Sequence, residues 1–218
     1  MNKIILLSGG LDSATLLYIS LNGKDRVTPV FVNYGQKNAK NEYAAASAIS
    51  ESVGLKLLTV CIDDVFKLSN SAMLNQNSRE LCCIVKNGSH SEILSENTEI
   101  EFRNGVLLSI GISLAMQLYK GEETEVSYGA AKTRCGFKDC DKKFVALYDS
   151  LARYCTNGKV QVTAPLANKG KDEIMALAKS IGVPIYKTWS CYNGGEKPCG
   201  ICPACLDRKI LEGIDANI

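Results

Sequence analysis

The sequence predicts an α/β protein, a parallel sheet with helices on both faces, carrying a C-terminal segment built around metal. Three observations point there. Short apolar runs at 3–7, 27–32, 56–62, 125–128 and 160–163 alternate with helical periodicity at 13–22, 38–53, 104–120, 144–155 and 171–181, and strand–helix alternation of this kind builds parallel sheets. The first apolar run breaks into Ser8-Gly9-Gly10-Leu11-Asp12-Ser13, at the carboxyl end of a strand, where ligands of such sheets collect. Four of the ten cysteines, Cys191, Cys199, Cys202 and Cys205, crowd toward the C-terminus.

Composition sets the bounds. The 218 residues, 46% hydrophobic and 22% charged, suffice for one substantial core with a small appendage. No apolar run reaches the roughly 20 residues that a membrane helix needs, and the N-terminus enters a strand where a signal sequence would show a charged and then an apolar stretch. A cytoplasmic protein with no membrane partner is expected. The formal net charge of +2 offers no broad footprint for nucleic acid, so a nucleic-acid partner is not expected. In a reducing compartment, clustered cysteines more often hold metal than form disulfides.

The elements follow in order. The 3–7 run is a buried strand, and two adjacent glycines after it let successive N–H groups converge on an anion while Ser8 and Ser13 add hydroxyls. The helix over 13–22 aims its positive end at the same place. The loop has neither the lysine of a Walker motif nor the spacing of a dinucleotide fingerprint. A β-branched strand at 27–32 closes on Asn33-Tyr34-Gly35-Gln36, placing that turn beside the first loop. The alanine-rich helix 38–53 stops at Gly54, and 56–62 is a third strand. Residues 63–101 are polar with few apolar anchors and form no assignable element; an ordered insertion or a lid suits them. His90, the sole histidine, and Cys82-Cys83 lie there. Val106, Leu107, Ile110, Leu114 and Leu118 stripe the helix that Arg103-Asn104 opens. The strand 125–128 ends at Gly129, and the 130–141 loop then presents Lys132, Arg134, Lys138 and Asp139 where a substrate would lie. Pro165 ends the last strand, and Lys171 begins the last helix of the main unit.

The tail reads Cys191-x7-Cys199-x2-Cys202-x2-Cys205. Four thiolates so close together complete a closed tetrahedral zinc site of structural type, or an iron–sulfur cluster, which also uses paired x2 spacings.

The 8–13 loop resembles the Ser-Gly-Gly-x-Asp-Ser loop of the PP-loop ATP pyrophosphatases, which split ATP into AMP and pyrophosphate, with Ser8, Gly9, Gly10, Asp12 and Ser13 at the defining positions. Together with Tyr34-Gly35-Gln36, Arg103-Asn104 and Thr188-Trp189-Ser190-Cys191-Tyr192-Asn193, it makes nearly the whole chain similar to the QueC family of 7-cyano-7-deazaguanine synthases. The resemblance implies a Rossmann-like sheet of the adenine nucleotide alpha hydrolase type over 1–187 and a zinc-binding segment over 188–218 packed on it. It implies ATP at the N-terminal loop, Zn2+ on the four cysteines, a homodimer, and conversion of 7-carboxy-7-deazaguanine and ammonia to the nitrile.

The physical reading of those roles is direct. A carboxylate must be joined to a good leaving group before an amine can attack it, and AMP is such a group. Backbone donors at Gly9, Gly10 and Leu11 would stabilise departing pyrophosphate, with Ser8 and Ser13 orienting phosphates and magnesium offsetting their charge. Asp12 would hold metal-bound water or the loop itself; Lys171 and Lys132 would add positive charge. Ser8, Asp12, Ser13 and Lys171 are thus the expected catalytic residues. Tyr34, Gln36, Arg103, Asn104 and Gly129 join the loop around the nucleotide, and Lys132, Arg134 and Asp139 face the substrate. Two segments depart from the family pattern: Ile100-Glu101-Phe102 stands where Val-Pro-Gly precedes Arg-Asn, and Ala131-Lys132-Thr133-Arg134 replaces an acidic Glu-Thr-Asp loop. The changed charge sign bears on which amine is accepted. QueC-like relatives in bacterial antiviral operons, which join the activated carboxylate to a protein amine, share this look and form the first alternative. A tRNA sulfurtransferase carrying sulfur on Cys135 or Cys140 is the second.

Overall fold

A computed structural model describes residues 1–21, 23–77, 84–85, 93–94, 98–132 and 137–213. Its sheet has five parallel strands, β1 (Asn2–Leu6), β2 (Arg26–Asn33), β3 (Leu58–Cys61), β6 (Thr124–Tyr128) and β7 (Val160–Thr163), in the order β3-β2-β1-β6-β7. A separate antiparallel pair joins β4 (Ile84–Val85) to β5 (Ile93–Leu94). The chain moves outward from β1 to β3 and then returns to β1's other side with β6, so the strand order reverses between β1 and β6. A crevice opens beyond the carboxyl ends at such a reversal. The 8–13 loop and Gly129 follow the two strands that flank it.

Side-chain alternation along the strands sorts the helices into two layers. Ile5, Leu7 and Phe31 point one way and pack with α1 (Leu11–Ser20), α2 (Ala39–Ser52) and α5 (Lys171–Ser180), through residues such as Leu17, Ile49 and Ile174. Ile4, Leu6, Val30 and Val126 point the other way and pack with α3 (Arg103–Tyr119) and α4 (Lys142–Cys155), through Leu108, Ala115 and Ala152. Both layers exclude water from strands that are apolar on both faces, which favours the parallel arrangement at about 25 cal/mol for each Å2 of apolar surface removed from water.

The strand and helix expectations outside 63–101 all meet an element, with ends shifted by a few residues. Two features were not anticipated. Phe66, Ala72, Met73, Leu74 and Ile100, from the polar-looking insertion, form a third buried cluster with Tyr34 and with Cys191, Cys202 and Cys205. The tail ends in a further helix, α6 (Pro203–Leu211), capped by Cys202 with Pro203 in its first turn, a position that suits proline because its missing N–H would be unpaired there. No helix among the described residues is long and apolar enough to cross a membrane.

Candidate active site

The loop after β1 turns on Gly9. Its φ is +80°, and a Cβ on it would lie 2.5 Å from the Glu42 carbonyl oxygen, so only glycine lets the loop press on the start of α2. Gly10 caps α1 without a side-chain hydrogen bond, which leaves the first-turn N–H groups to an incoming anion. The Ser8 and Ser13 hydroxyls lie 3.1 Å apart, and the Ser13 hydroxyl donates to the Gly10 carbonyl at 3.1 Å. Gly129 permits a second close approach: a Cβ there would sit 2.9 Å from the Ser13 nitrogen. Lys171, the first residue of α5, forms an ion pair with Asp12 Oδ2. Asp12 Oδ1 is buried without a hydrogen-bond partner, an acceptor left over at the edge of the loop.

The C-terminal segment is tied to this loop. The Trp189 N–H donates to the Gly9 carbonyl at 3.0 Å, while the Trp189 indole N–H and the Asn38 amide both donate to the Cys191 carbonyl, at 2.7 and 2.9 Å. Around the crevice lies a cavity of about 340 Å3. Ser8, Asp12, Ser13, Gly129 and Lys171 line one end; Tyr34, Glu42, Arg103 and Tyr192 line another part of its wall, with Asp207 and Arg208 contributed by α6.

Of the residues expected at the nucleotide, Ser8, Gly10, Leu11, Asp12, Ser13, Tyr34, Gln36, Arg103, Asn104 and Gly129 all line this cavity. Two of them are occupied within the protein. Gln36 is fully buried; its Oε1 accepts from the Tyr34 N–H at 2.9 Å and its Nε2 donates to Glu42 Oε2 at 3.0 Å. Asn104 donates its backbone N–H to Asp139 Oδ2 at 3.1 Å and its amide to the Asp139 carbonyl and Cys140 Sγ, each at 3.3 Å. Asp139 is therefore engaged in holding the start of α3, with the Tyr128 hydroxyl donating to its carbonyl at 3.0 Å. Lys132 is exposed and does not line the cavity. Arg134 and Cys135 lie outside the described residues, as do His90 and Cys82-Cys83.

Electrostatics divides the cavity. Burial works against the charge of Arg103, but Tyr34, Tyr192 and Asp139 around it outweigh burial and hold the guanidinium charged. Burial raises both tyrosines, Tyr34 and Tyr192, above their ordinary values. Burial likewise pushes Glu42 up to about 7, against the opposing pull of its Gln36 hydrogen bond and of Arg103. Cys140 is pushed up to about 12, by burial first and then by the Asp139 carboxylate, so its thiol stays protonated at neutral pH and is a poor carrier of sulfur. Glu42 went unnoticed in the sequence, where an acid in the first turn of a helix reads as a solvated dipole partner. The available signal was its spacing from Gln36 and Asn38.

Cys191, Cys199, Cys202 and Cys205 bring their sulfurs within 4.8 Å of one another. The Cys199 N–H donates to the Cys191 sulfur at 3.3 Å, and the Cys202 N–H to the Cys199 sulfur at 3.4 Å. Burial opposes ionisation of Cys199, but donation from the Ile201 and Cys202 N–H groups prevails and lowers it to about 6. Four convergent thiols with N–H donors aimed at their sulfurs suit a closed tetrahedral Zn2+ site.

The family described as "Queuosine biosynthesis protein QueC" matches residues 2–213. A 7-cyano-7-deazaguanine synthase of Archaeoglobus fulgidus is 35% identical over 95% of this chain and 84% of that protein. The same enzyme of Microcystis aeruginosa is 34% identical over 96% and 90%. A solved structure titled as a predicted subunit of tRNA methyltransferase, from Methanocaldococcus jannaschii, superposes with a TM-score of 0.51 at 17% identity, over 82% of this chain and 74% of that one; the likeness is one of fold.

Proposed function

The chain belongs to the QueC family, and on that premise we propose that it activates the carboxylate of 7-carboxy-7-deazaguanine with ATP and passes the acyl group to an amine, giving 7-cyano-7-deazaguanine by way of the amide. The observation that carries this reading is the single cavity that joins the 8–13 loop to Tyr34, Arg103 and Tyr192. An adenylating enzyme needs an anion cradle continuous with a pocket of ring size, so that the carboxylate can meet the α-phosphate.

In this reading the Gly9, Gly10 and Leu11 N–H groups and the Ser8 and Ser13 hydroxyls hold the pyrophosphate end of ATP while the carboxylate oxygen attacks the α-phosphorus. Pyrophosphate leaves, and fixed donors at that point lower the barrier because they need no reorganisation. Lys171 neutralises Asp12 and keeps its position at the mouth of the loop. Asp12, with Oδ1 unpartnered, is the residue that would hold Mg2+ or its water, and the ion would supply compensation of phosphate charge. Arg103 and the tyrosines face the remaining wall, where the ring would stack and pair. Ammonia then displaces AMP to form the amide; a second ATP activates the amide oxygen, and loss of a proton from nitrogen with departure of AMP carrying that oxygen gives the nitrile. Residues 1–187 act as the PP-loop body and 188–218 as the segment that Zn2+ would knit against it. A homodimer is the assembly expected, and sedimentation of the purified chain reads it.

The absence of a carboxylate at Ala131 and Lys132 favours one further reading, transfer to a protein amine with the reaction stopping at the amide. Mass spectrometry of reactions containing ATP, 7-carboxy-7-deazaguanine and ammonia, with and without a candidate protein acceptor, distinguishes the two. Nitrile is the expected product; a protein adduct in its place selects the second reading, and unchanged acid in every reaction defeats both.

A further inference from the structure

Among the described residues, three carboxylates line the cavity: Asp12, Glu42 and Asp207. Asp12 is ion-paired with Lys171, and Asp207 has partners of its own. Glu42 stands differently. It forms no ion pair among the described residues, and both its oxygens are held by neutral amides, Oε2 by Gln36 Nε2 and Oε1 by Asn38 Nδ2, each at 3.0 Å. Each oxygen keeps a further lone pair after accepting one bond. The backbone of Glu42 is equally fixed, since its carbonyl packs against Gly9. This carboxylate is thus aimed and immobile beside the loop, on a wall it shares with Ser8, Tyr34 and Arg103.

Amide formation requires something that neither the loop nor Arg103 supplies. At neutral pH an amine such as ammonia is mostly its conjugate acid, which has no lone pair with which to attack. We infer that Glu42 is the proton acceptor for the incoming amine, a role that rests on the acyl-transfer reading above. In that step an N–H bond of ammonium breaks and its proton moves to a Glu42 oxygen. The freed nitrogen lone pair bonds to the acyl carbon, and the carbon–oxygen bond to AMP breaks, its electron pair leaving on the phosphate oxygen. The second proton lost by nitrogen and the one held by Glu42 pass to water. Arg103 and Tyr34 are the ionisable groups facing Glu42. Burial, the largest influence, brings its proton affinity to about 7, and a base poised near the working pH both exists as the anion and takes a proton readily. Gln36 and Asn38 are positioning residues for it.

The test compares ammonium chloride with hydroxylamine, which is already neutral at pH 7 and needs no base to become nucleophilic. Glu42→Gln is expected to form hydroxamate from hydroxylamine, ATP and 7-carboxy-7-deazaguanine at a rate near wild type, while amide formation from ammonium falls at least about 100-fold, the low end of general-base contributions. Glu42→Asp retains the carboxylate and is expected to recover part of the ammonium rate. Equal loss with both nucleophiles in both variants would overturn the inference and assign Glu42 a structural or ring-binding role. A wild type that forms hydroxamate but no amide from ammonium also overturns it. A wild type that forms neither product contradicts the acyl-transfer reading itself.

Discussion

At the scale of single residues, Gly9 and Glu42 meet at one contact and have opposite histories. Gly9→Ala places a methyl group 2.5 Å from the Glu42 carbonyl and forces alanine to φ +80°. The backbone angle alone costs about 1–3 kcal/mol, and the clash is with main chain, which cannot swing aside. The expected outcome is a lowered denaturation midpoint together with loss of ATP binding, read by urea titration and calorimetry. Glu42 makes a pH prediction. Its folded value, about 7, stands above the ordinary 4.5, so the folded state holds the proton longer than the unfolded one does. Stability from this group is greatest below about 4.5 and declines as pH rises to about 7. The melting temperature of wild type relative to that of Glu42→Gln should therefore fall as pH rises across that window, whatever constant offset the substitution itself adds. The turn at Gly9, Asp12 and Ser13 was legible in the sequence because its geometry is made by adjacent residues. Gln36 and Asn104 line the cavity as expected, whereas Asp139, expected at the substrate, does not line it and holds the start of α3. Their hydrogen bonds run to Glu42, Cys140 and Tyr128, and which partner claims a polar side chain is decided only by folding.

At the scale of elements, the cysteine segment does more than bring four sulfurs together. It carries Trp189 to the Gly9 carbonyl and sets α6, with Asp207 and Arg208, along the cavity. Arg208 fastens that helix, its guanidinium donating to the Thr188 hydroxyl at 2.7 Å and to the Ile185 carbonyl at 3.1 Å. Metal analysis of the purified chain should find one zinc per chain and no visible absorbance; a brown protein containing iron would contradict the zinc assignment. A ligand present at about a thousandfold its dissociation constant stabilises by about 4 kcal/mol, equivalent to about 8–16 °C for a chain of this size. Removing metal with a chelator, or Cys202→Ser, should therefore lower the melting temperature by about that much and weaken ATP binding in parallel. The four-cysteine cluster was legible as spacing, whereas α6 was not. Its start is marked by Cys202-Pro203, a pair that reads equally as part of the Cys-x2-Cys spacing. The start of α3 shows the same limit. Phe102 caps it in the left-handed region at φ +55°, which a glycine adopts freely. Its ring packs edge-on against Phe144 at 6.0 Å and lies over Gly105. Phe102→Gly is expected to relieve the backbone and lose this packing, giving a net change within about 1 kcal/mol by the ordinary size of each effect; a melting temperature that moves by more than several degrees would show one effect to dominate.

At the scale of the whole molecule, the sheet order places the reversal between β1 and β6, and the chain uses that crevice from every side: the loop after β1, the turn after β2, the start of α3, Gly129 after β6 and the C-terminal segment. The parallel sheet was legible because its strands are apolar on both faces and alternate with helices. The insertion was not, because Phe66, Met73, Leu74 and Ile100 are scattered among polar residues and find their partners in the cysteine segment, distant in sequence. In the proposed reaction this assembly activates a carboxylate by joining it to AMP. The direct measurement is the fate of heavy oxygen placed in the carboxylate of 7-carboxy-7-deazaguanine, followed by mass spectrometry of the nucleotide and phosphate products. One labelled oxygen is expected in AMP, released with unlabelled pyrophosphate. Label in inorganic phosphate alongside ADP, or AMP formed without label, would contradict it.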